Sequence, residues 1–498
     1  MATDVLTGPR EGLSIELNGI NVIATEERKG SPRDLFWPWC AANIAVLGIS
    51  YGSFFLGFGV SFWQATFAGV VGTVLSFLLV GVVSLAGKRG SAPTMVLSRA
   101  AYGVEGGKLP AALSYILLVG WETVLVSLAT LATATVFTRL GWGGGDATKI
   151  IAFIVVAGFV VFSGVFGFNV IMRVQTILTI ALAVLTVGYV ALTLGHINST
   201  AITSIPDGTP QAVLGTLIFA ATGFGLGWVN SGADYSRYLP RNVSGTAVVA
   251  WTTVGAAIAP VLLVVYGLLL AASDKNLNTA IASDPVGALT TILPTWYLVP
   301  FALVAIGGLI GGAILDIYSS GLALLTLGLK IPRWQAAGID GVIMILGTIY
   351  VVWIASNFFF PFEGFLITLG VPIAAWCGVF VADLLLRKRD YAEADLYTSS
   401  GRYGMVNWVA VLTTIVATFL GWGLVTNGFA DWLHWQGYLL DPLGLGPKDN
   451  GPWTYANLGV FVALGVGFLG QLILGRSAVA RQERLQASDE VRTPASTV

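Results

Sequence analysis

Two carboxyl side chains stand inside otherwise apolar runs, Glu122 in VGWE and Asp316 in LDIYSS. A charged side chain at the centre of a membrane helix costs about 2.5–3.5 kcal/mol on insertion scales and faces the interior by default. In a low dielectric a carboxyl favours its neutral form, so either residue is suited to take up and release a proton. The bland alternative is a buried acid held permanently by backbone or water. A different pairing closes GLGWVNSGADYSRYLPRN (residues 225–242), where Asp234 and Arg237 stand three apart. That spacing lets an acid and a base meet on one helical face. Tyr235 and Tyr238 beside them suit the aromatic belt at a membrane interface.

The elements that must hold these groups follow from the solvent. Of 498 residues, 55% are hydrophobic and only 10% charged, with a mean hydropathy of +0.81. Soluble domains carry about 25% charged residues, so lipid rather than water surrounds most of this chain. A net charge of -1 argues against a nucleic-acid partner. Cys40 and Cys377 lie in apolar runs and give neither a disulfide framework nor metal-ligand spacing. No cleavable signal is visible in the polar first 35 residues.

Apolar runs able to cross a hydrocarbon core of roughly 30 Å recur along the chain. Spans 1–12 are read at 36–62, 64–87, 110–138, 149–168, 171–195, 212–232, 247–271, 296–328, 336–356, 359–385, 405–426 and 453–474. They must be helices, because an isolated strand leaves its backbone polar groups unpaired in lipid. With the N-terminus inside, 21 of the 25 Lys and Arg fall on the cytoplasmic side. The positive-inside bias therefore places both termini in the cytoplasm. This gives a cytoplasmic tail at 1–35 and a polar, disordered tail at 475–498. The segment 427–452 is the longest external loop.

Spans 1 and 6 are interrupted alike, by GISYGSFFLGFG (48–59) and TGFGLGWVNSG (222–232). Small residues can serve close helix packing. Their matching positions, each opening a group of five spans, point instead to the broken helices of a transporter with inverted repeats. Spans 1–10 (36–385) would be the transport core, and 386–474 would carry the two remaining spans.

The stretch GADYSRYLPRN resembles the motif after helix 6 of the nucleobase–cation symporter family 1, in its purine–cytosine permease branch. Further matches follow in order: AANIAVLGISYG in span 1, VGWE in span 3 and DIYSSGLALLTLG in span 8. Span 10 adds FEGFLITLGVPIAAWCGVFVADLLLRKRDY, and span 11 begins VNWVA. The resemblance covers about residues 30–425. It implies an all-α membrane protein with the five-plus-five inverted-repeat fold of the leucine transporter, plus two C-terminal helices.

It also implies a site. A nucleobase is a flat ring with a polar edge, so recognition needs stacking faces, worth roughly 1–3 kcal/mol per base, and fixed hydrogen-bonding groups. Trp121 matches the family's stacking tryptophan of helix 3, and Trp228 the aromatic of helix 6, with Phe224 as the alternative if the register slips. Asp316 falls where many relatives have a base-binding asparagine, and Ser50 matches a polar substrate-side position. Asn43 and Asn357 match family asparagines or make interhelical hydrogen bonds. Glu122 and Asp316 are the candidates for proton coupling, and Asp234 and Arg237 read as structural or gating.

Sodium-coupled members place hydroxyls on helix 8 shortly before the Asp316 position, where this chain has Ile310-Gly311-Gly312. That departure favours a proton over sodium as the coupling ion. The expectation is a plasma-membrane importer of cytosine or a purine, with no cofactor, no metal and no obligate protein partner. The same fold carries hydantoin, allantoin, uracil, thiamine or pyridoxine in other members, and those substrates stay open, as does sodium. Enzyme chemistry is disfavoured because His196 and His434 sit at span ends or in external loops and no nucleophile triad or phosphate loop appears. A channel would show symmetric rings of like residues rather than paired broken helices.

Overall fold

The computed structural model describes residues 19–166, 168–354, 358–428, 433–446, 451 and 453–492. Asn357, parts of the loop at 427–452 and both chain ends lie outside them. Among the described residues the regular structure is helical throughout. Eight helices are each long and apolar enough to cross a membrane. Span 1 is a bent pair, Pro32–Asn43 with Leu47–Leu56, inclined by 64°. Phe168–Thr193, Trp408–Trp422 and Gly459–Leu474 supply spans 5, 11 and 12.

The packing repeats itself. Span 1 lies on span 7 as span 6 lies on span 2, and spans 3 and 8, 2 and 7, and 4 and 9 run side by side. Span 5 covers spans 1 and 8, while span 10 covers spans 6 and 3. Exchanging every number by five maps this set of contacts onto itself. Spans 11 and 12 stand outside the symmetry and pack on span 10.

Span 1 breaks earlier than expected, at 44–46 rather than within the glycine run. Asn43 Nδ2 donates to Trp39 O at 2.8 Å, and Ile44 leaves the helix with ψ 73°. Gly48 and Gly52, which follow, are helical and serve packing. A Cβ at Gly52 would lie 2.2 Å from Leu268 N, and one at Gly267 would lie 1.8 Å from Ile49 O. Spans 1 and 7 thus cross with backbone on backbone, the bland reading of that cluster. Span 6 breaks where expected. Phe224, with φ -114° and ψ -101°, separates Pro210–Gly223 from Gly225–Trp228, and a tight turn follows at Val229–Ser231.

The tail after Gly475 departs from the expected disorder: Arg476–Arg492 is a helix. Its polar side chains recur at helical spacing and dock on the turn after span 10. Arg387 donates to Gln482 Oε1 at 2.7 Å, and Glu483 accepts from Lys388 N and Arg389 N at 2.6 and 2.9 Å. The described part of the N-terminal tail is docked at the same end, through Ile23 N to Ser91 O and Lys29 N to Tyr238 O. Exposed tryptophans ring both ends of the bundle, Trp63, Trp142 and Trp296 at one and Trp37, Trp334 and Trp408 at the other, as an aromatic belt requires.

Candidate functional site

The second helix of span 1 meets span 6 at its break. Tyr51, in the second helix of span 1, donates to Gly223 O at 3.2 Å, so its hydroxyl satisfies a carbonyl left by the end of the first span 6 helix. Ser76 of span 2 accepts from Gly225 N at 3.0 Å on the other side of the break. Phe224 lies between them, its ring 4.5 Å from that of Tyr51. Neither Tyr51 nor Ser76 was marked by the sequence, although an aromatic hydroxyl amid a glycine-rich span is a readable signal.

Trp121 is buried on span 3 with its ring edge-on to Phe362 at 5.5 Å and to Phe365 at 6.1 Å. Its indole N–H has no hydrogen-bond partner among the described residues. Span 6 passes close beside it, since a Cβ at Gly227 would lie 2.9 Å from Trp121 Nε1. Trp228 follows directly, half-buried and edge-on to Trp39 at 5.7 Å. Spans 3, 6 and 10 therefore meet at Trp121, while Trp228 packs toward Trp39 of span 1 and Phe224 lies on the Tyr51 side.

The next residue on span 3 turns to a different neighbour. Glu122 is fully buried, and Ser320 of span 8 donates toward its Oε1 at 2.8 Å. Asp316, one helical turn before Ser320 and on the same face, is buried with both carboxyl oxygens unpartnered among the described residues. A third acid joins them that the sequence reading missed. Asp340 of span 9 is buried with its Oδ2 against the Ser320 hydroxyl. Its signal was available: a lone acid about one turn inside an apolar run.

Ser50 is buried, and its hydroxyl donates to Pro285 O at 2.6 Å. Its hydrogen is committed to the segment between spans 7 and 8, which leaves only its lone pairs for another donor. At the break of span 1, span 8 brings glycines. A Cβ at Gly308 would lie 2.5 Å from Ile44 O, and one at Gly312 would lie 3.7 Å from Ala42 O. Neither residue offers a side-chain oxygen to those carbonyls.

The expected local pairing of Asp234 with Arg237 gives way to longer-range bonds. Asp234 Oδ1 accepts from Thr94 N and Thr94 Oγ1 at 2.8 and 2.7 Å, capping the helix Thr94–Tyr102. Arg237 donates to Gly19 O at 3.0 Å and to the Tyr318 hydroxyl at 2.8 Å. A buried charge is better satisfied by several fixed partners than by one neighbour three residues away. Tyr235 is likewise buried rather than in a belt, packed on Trp39 at 5.4 Å and stacked on Tyr318.

Comparison with known proteins places this arrangement. Residues 22–439 match the family described as permease for cytosine/purines, uracil, thiamine, allantoin. YxlA of Bacillus subtilis (strain 168) is 24% identical over 84% of this chain and 90% of its own length. The cytosine permease of Escherichia coli (strain K12) is 25% identical over 74% of this chain and 80% of its own. Among solved structures, the nucleobase–cation-symport-1 transporter Mhp1, closed with bromovinylhydantoin bound, superposes with TM-score 0.66 at 18% identity. That match covers 95% of this chain and 100% of Mhp1. Its inward-facing form gives TM-score 0.63, covering 94% and 98%. With a family match over most of its length, two broken helices and the five-plus-five contact pattern, this chain is a multi-pass membrane transporter belonging to the cytosine–purine permeases of the nucleobase–cation symport-1 family.

Proposed function

We propose that this protein imports a nucleobase, cytosine or a purine, across the plasma membrane together with a proton, with both termini in the cytoplasm. The observation that carries the reading is Trp121 lying against span 6 at Gly227, the residue before Trp228, while span 8, packed along span 3, carries the buried carboxyl of Asp316. The tryptophans, or Trp121 with Phe224, supply stacking faces. Asp316 accepts N–H donors from the edge of the base, and Ser50 and Glu122 complete the polar surroundings. Asp234 and Arg237 serve as a structural and gating tie between span 6, the helix after span 2 and the N-terminal tail.

Proton coupling is favoured by the same chemistry. Glu122 and Asp316 are carboxyls able to exchange a proton, whereas the span 8 positions against the span 1 carbonyls are glycines. Sodium wants several hard oxygen ligands, and fewer are offered there. In this reading substrate and proton load between the broken helices from outside, and rocking of one group of spans against the other releases both inside. No covalent step is involved.

A second reading rests on Asp316 itself. Two free acceptor oxygens suit a cationic or donor-rich heterocycle, as thiamine would be among the family's substrates. Uptake of radiolabelled cytosine, adenine, guanine, hypoxanthine, uracil, allantoin and thiamine, in cells lacking their own carriers, separates the two. Preference for thiamine or allantoin over every nucleobase would replace the first reading by the second. In proteoliposomes, accumulation should follow an inward proton gradient, collapse with an uncoupler and persist when choline replaces sodium. Strict sodium dependence would overturn the coupling assignment alone.

A further inference from the structure

Span 9 contributes a carboxyl to which the transport reading gives no task. Asp340 Oδ2 meets the hydroxyl of Ser320, and that same hydroxyl lies 2.8 Å from Glu122 Oε1. The two carboxyls also face each other directly. Three helices, spans 3, 8 and 9, thus converge on one oxygen atom. Among the described residues, the two oxygens of buried Asp316, one turn away, have no hydrogen-bond partner.

Counting hydrogens constrains this cluster. A serine hydroxyl carries one hydrogen and can donate it to one carboxylate only, whereas an ionised carboxylate has none to give. For Ser320 to bond both acids, at least one of Glu122 and Asp340 must be a neutral carboxylic acid that donates to Ser320 Oγ. Coulomb repulsion points the same way, because two adjacent carboxylates in a low dielectric do not both ionise.

Among the described residues the surroundings supply no compensating cation. Tyr115 of span 3 faces Asp340, and Lys108 at the start of that helix pairs with Glu105 at 2.6 Å. Arg333, at the start of span 9, donates to Gly164 O at 2.9 and 2.8 Å and sits over the Tyr318 ring. Arg237 is engaged with Gly19 O and Tyr318. Span 4 carries no titratable side chain from 150 to 166, and Tyr350 at the far end of span 9 is exposed. No salt bridge reaches Glu122, Asp316 or Asp340 among the described residues.

We propose that Glu122, Ser320 and Asp340 form a proton-binding site, distinct from the base-stacking surfaces, in which Asp340 carries the transported proton. The proposal rests on the proton-coupled transport reading and names the group that performs it. The pair keeps one proton at all times, shared through the serine. It takes a second from water on one side, which converts the remaining carboxylate to an acid, and yields that proton to water on the other side. The pair then cycles between net charges of about -1 and 0 and avoids the doubly ionised state that burial makes most costly. The link to substrate is short, since Glu122 adjoins Trp121 and Ser320 stands one turn from Asp316.

Two measurements test this, one of them independent of any substrate. Infrared difference spectra of the purified protein between about pH 5 and pH 9 should show a neutral-acid carbonyl band that Asp340→Asn diminishes and Asp340→Glu restores. In proteoliposomes, Asp340→Asn should lose proton-driven accumulation but keep exchange of internal for external cytosine. Ser320→Ala should move the pH midpoint of uptake, which a merely structural serine would leave in place. If Asp340→Asn does not fold, Ser320→Ala and Asp340→Glu carry the same test. An unchanged band in Asp340→Asn, or undiminished proton-driven accumulation by it, overturns the site. A wild-type protein that shows the band but moves no nucleobase overturns the substrate reading and leaves the proton site standing.

Discussion

Gly227 lies against the Trp121 indole so closely that a Cβ at 227 would come within 2.9 Å of Nε1. Spans 3 and 6 therefore touch here with no side chain of span 6 between them. Gly227→Ala must displace either the indole or the segment next to the break. The expected result is a loss of nucleobase affinity of about tenfold, roughly 1.4 kcal/mol, in a protein that still folds. Equilibrium binding to the purified variant measures it, and unaltered affinity would mean that the indole does not contact the base.

Truncating the stacking faces should cost more. Trp121→Ala and Trp228→Ala are each expected to weaken binding by roughly 1–3 kcal/mol without reducing membrane expression. Phe224→Ala settles the register of span 6. If it weakens binding while Trp228→Ala does not, the base lies on the Tyr51 side of the break.

Asp316→Asn removes a charge but keeps one acceptor and adds a donor. The order of preferred substrates in the uptake panel should change, because the edge of the base that was read by two acceptors now meets one of each. An unchanged order would remove Asp316 from the site.

The span 10 ion pair makes a prediction about stability. Arg387 and Asp383 are both buried, with Nε 2.6 Å from Oδ2. Burial alone would lower the Arg387 pKa, but the Asp383 carboxylate outweighs that and holds it above its ordinary value. Asp383→Ala leaves the guanidinium buried and uncompensated, at a cost of about 3–5 kcal/mol. A melting temperature equal to that of the wild type would contradict this.

Much of the architecture was legible because lipid imposes so few solutions. Run length located the spans, and matching glycine clusters marked both spans that break. The exact place of the first break was not legible. It depends on the Asn43 side chain reaching Trp39 O, a bond that leaves no pattern in composition, while the glycines after it answer to span 7 instead. Trp121, Glu122 and Asp316 could be picked out as polar or aromatic residues deep in apolar runs. Asp340 obeys the same rule but stood near a span boundary drawn at 336, where an acid looks like an end rather than an interior. Thr94, which takes Asp234 from Arg237, is 140 residues away from it in sequence, beyond any local spacing argument. The helical tail was misread because its docking uses polar bonds to a turn, and polar composition alone looks like solvent exposure.

Glu393, in the turn between spans 10 and 11, binds Arg28 of the N-terminal tail at 3.0 Å and also Arg241, just beyond span 6. One partly exposed carboxylate thereby fastens three segments that must part if a path is to open at that end. It works as a latch, and a latch made of ion pairs at the water boundary loosens as mobile ions accumulate, over a screening length of about 8 Å at physiological ionic strength. Transport should then quicken with added salt of any kind. Raising sodium chloride against a background of fixed ionic strength, balanced with choline chloride, separates that release from genuine sodium coupling; an unbalanced titration would mistake one for the other.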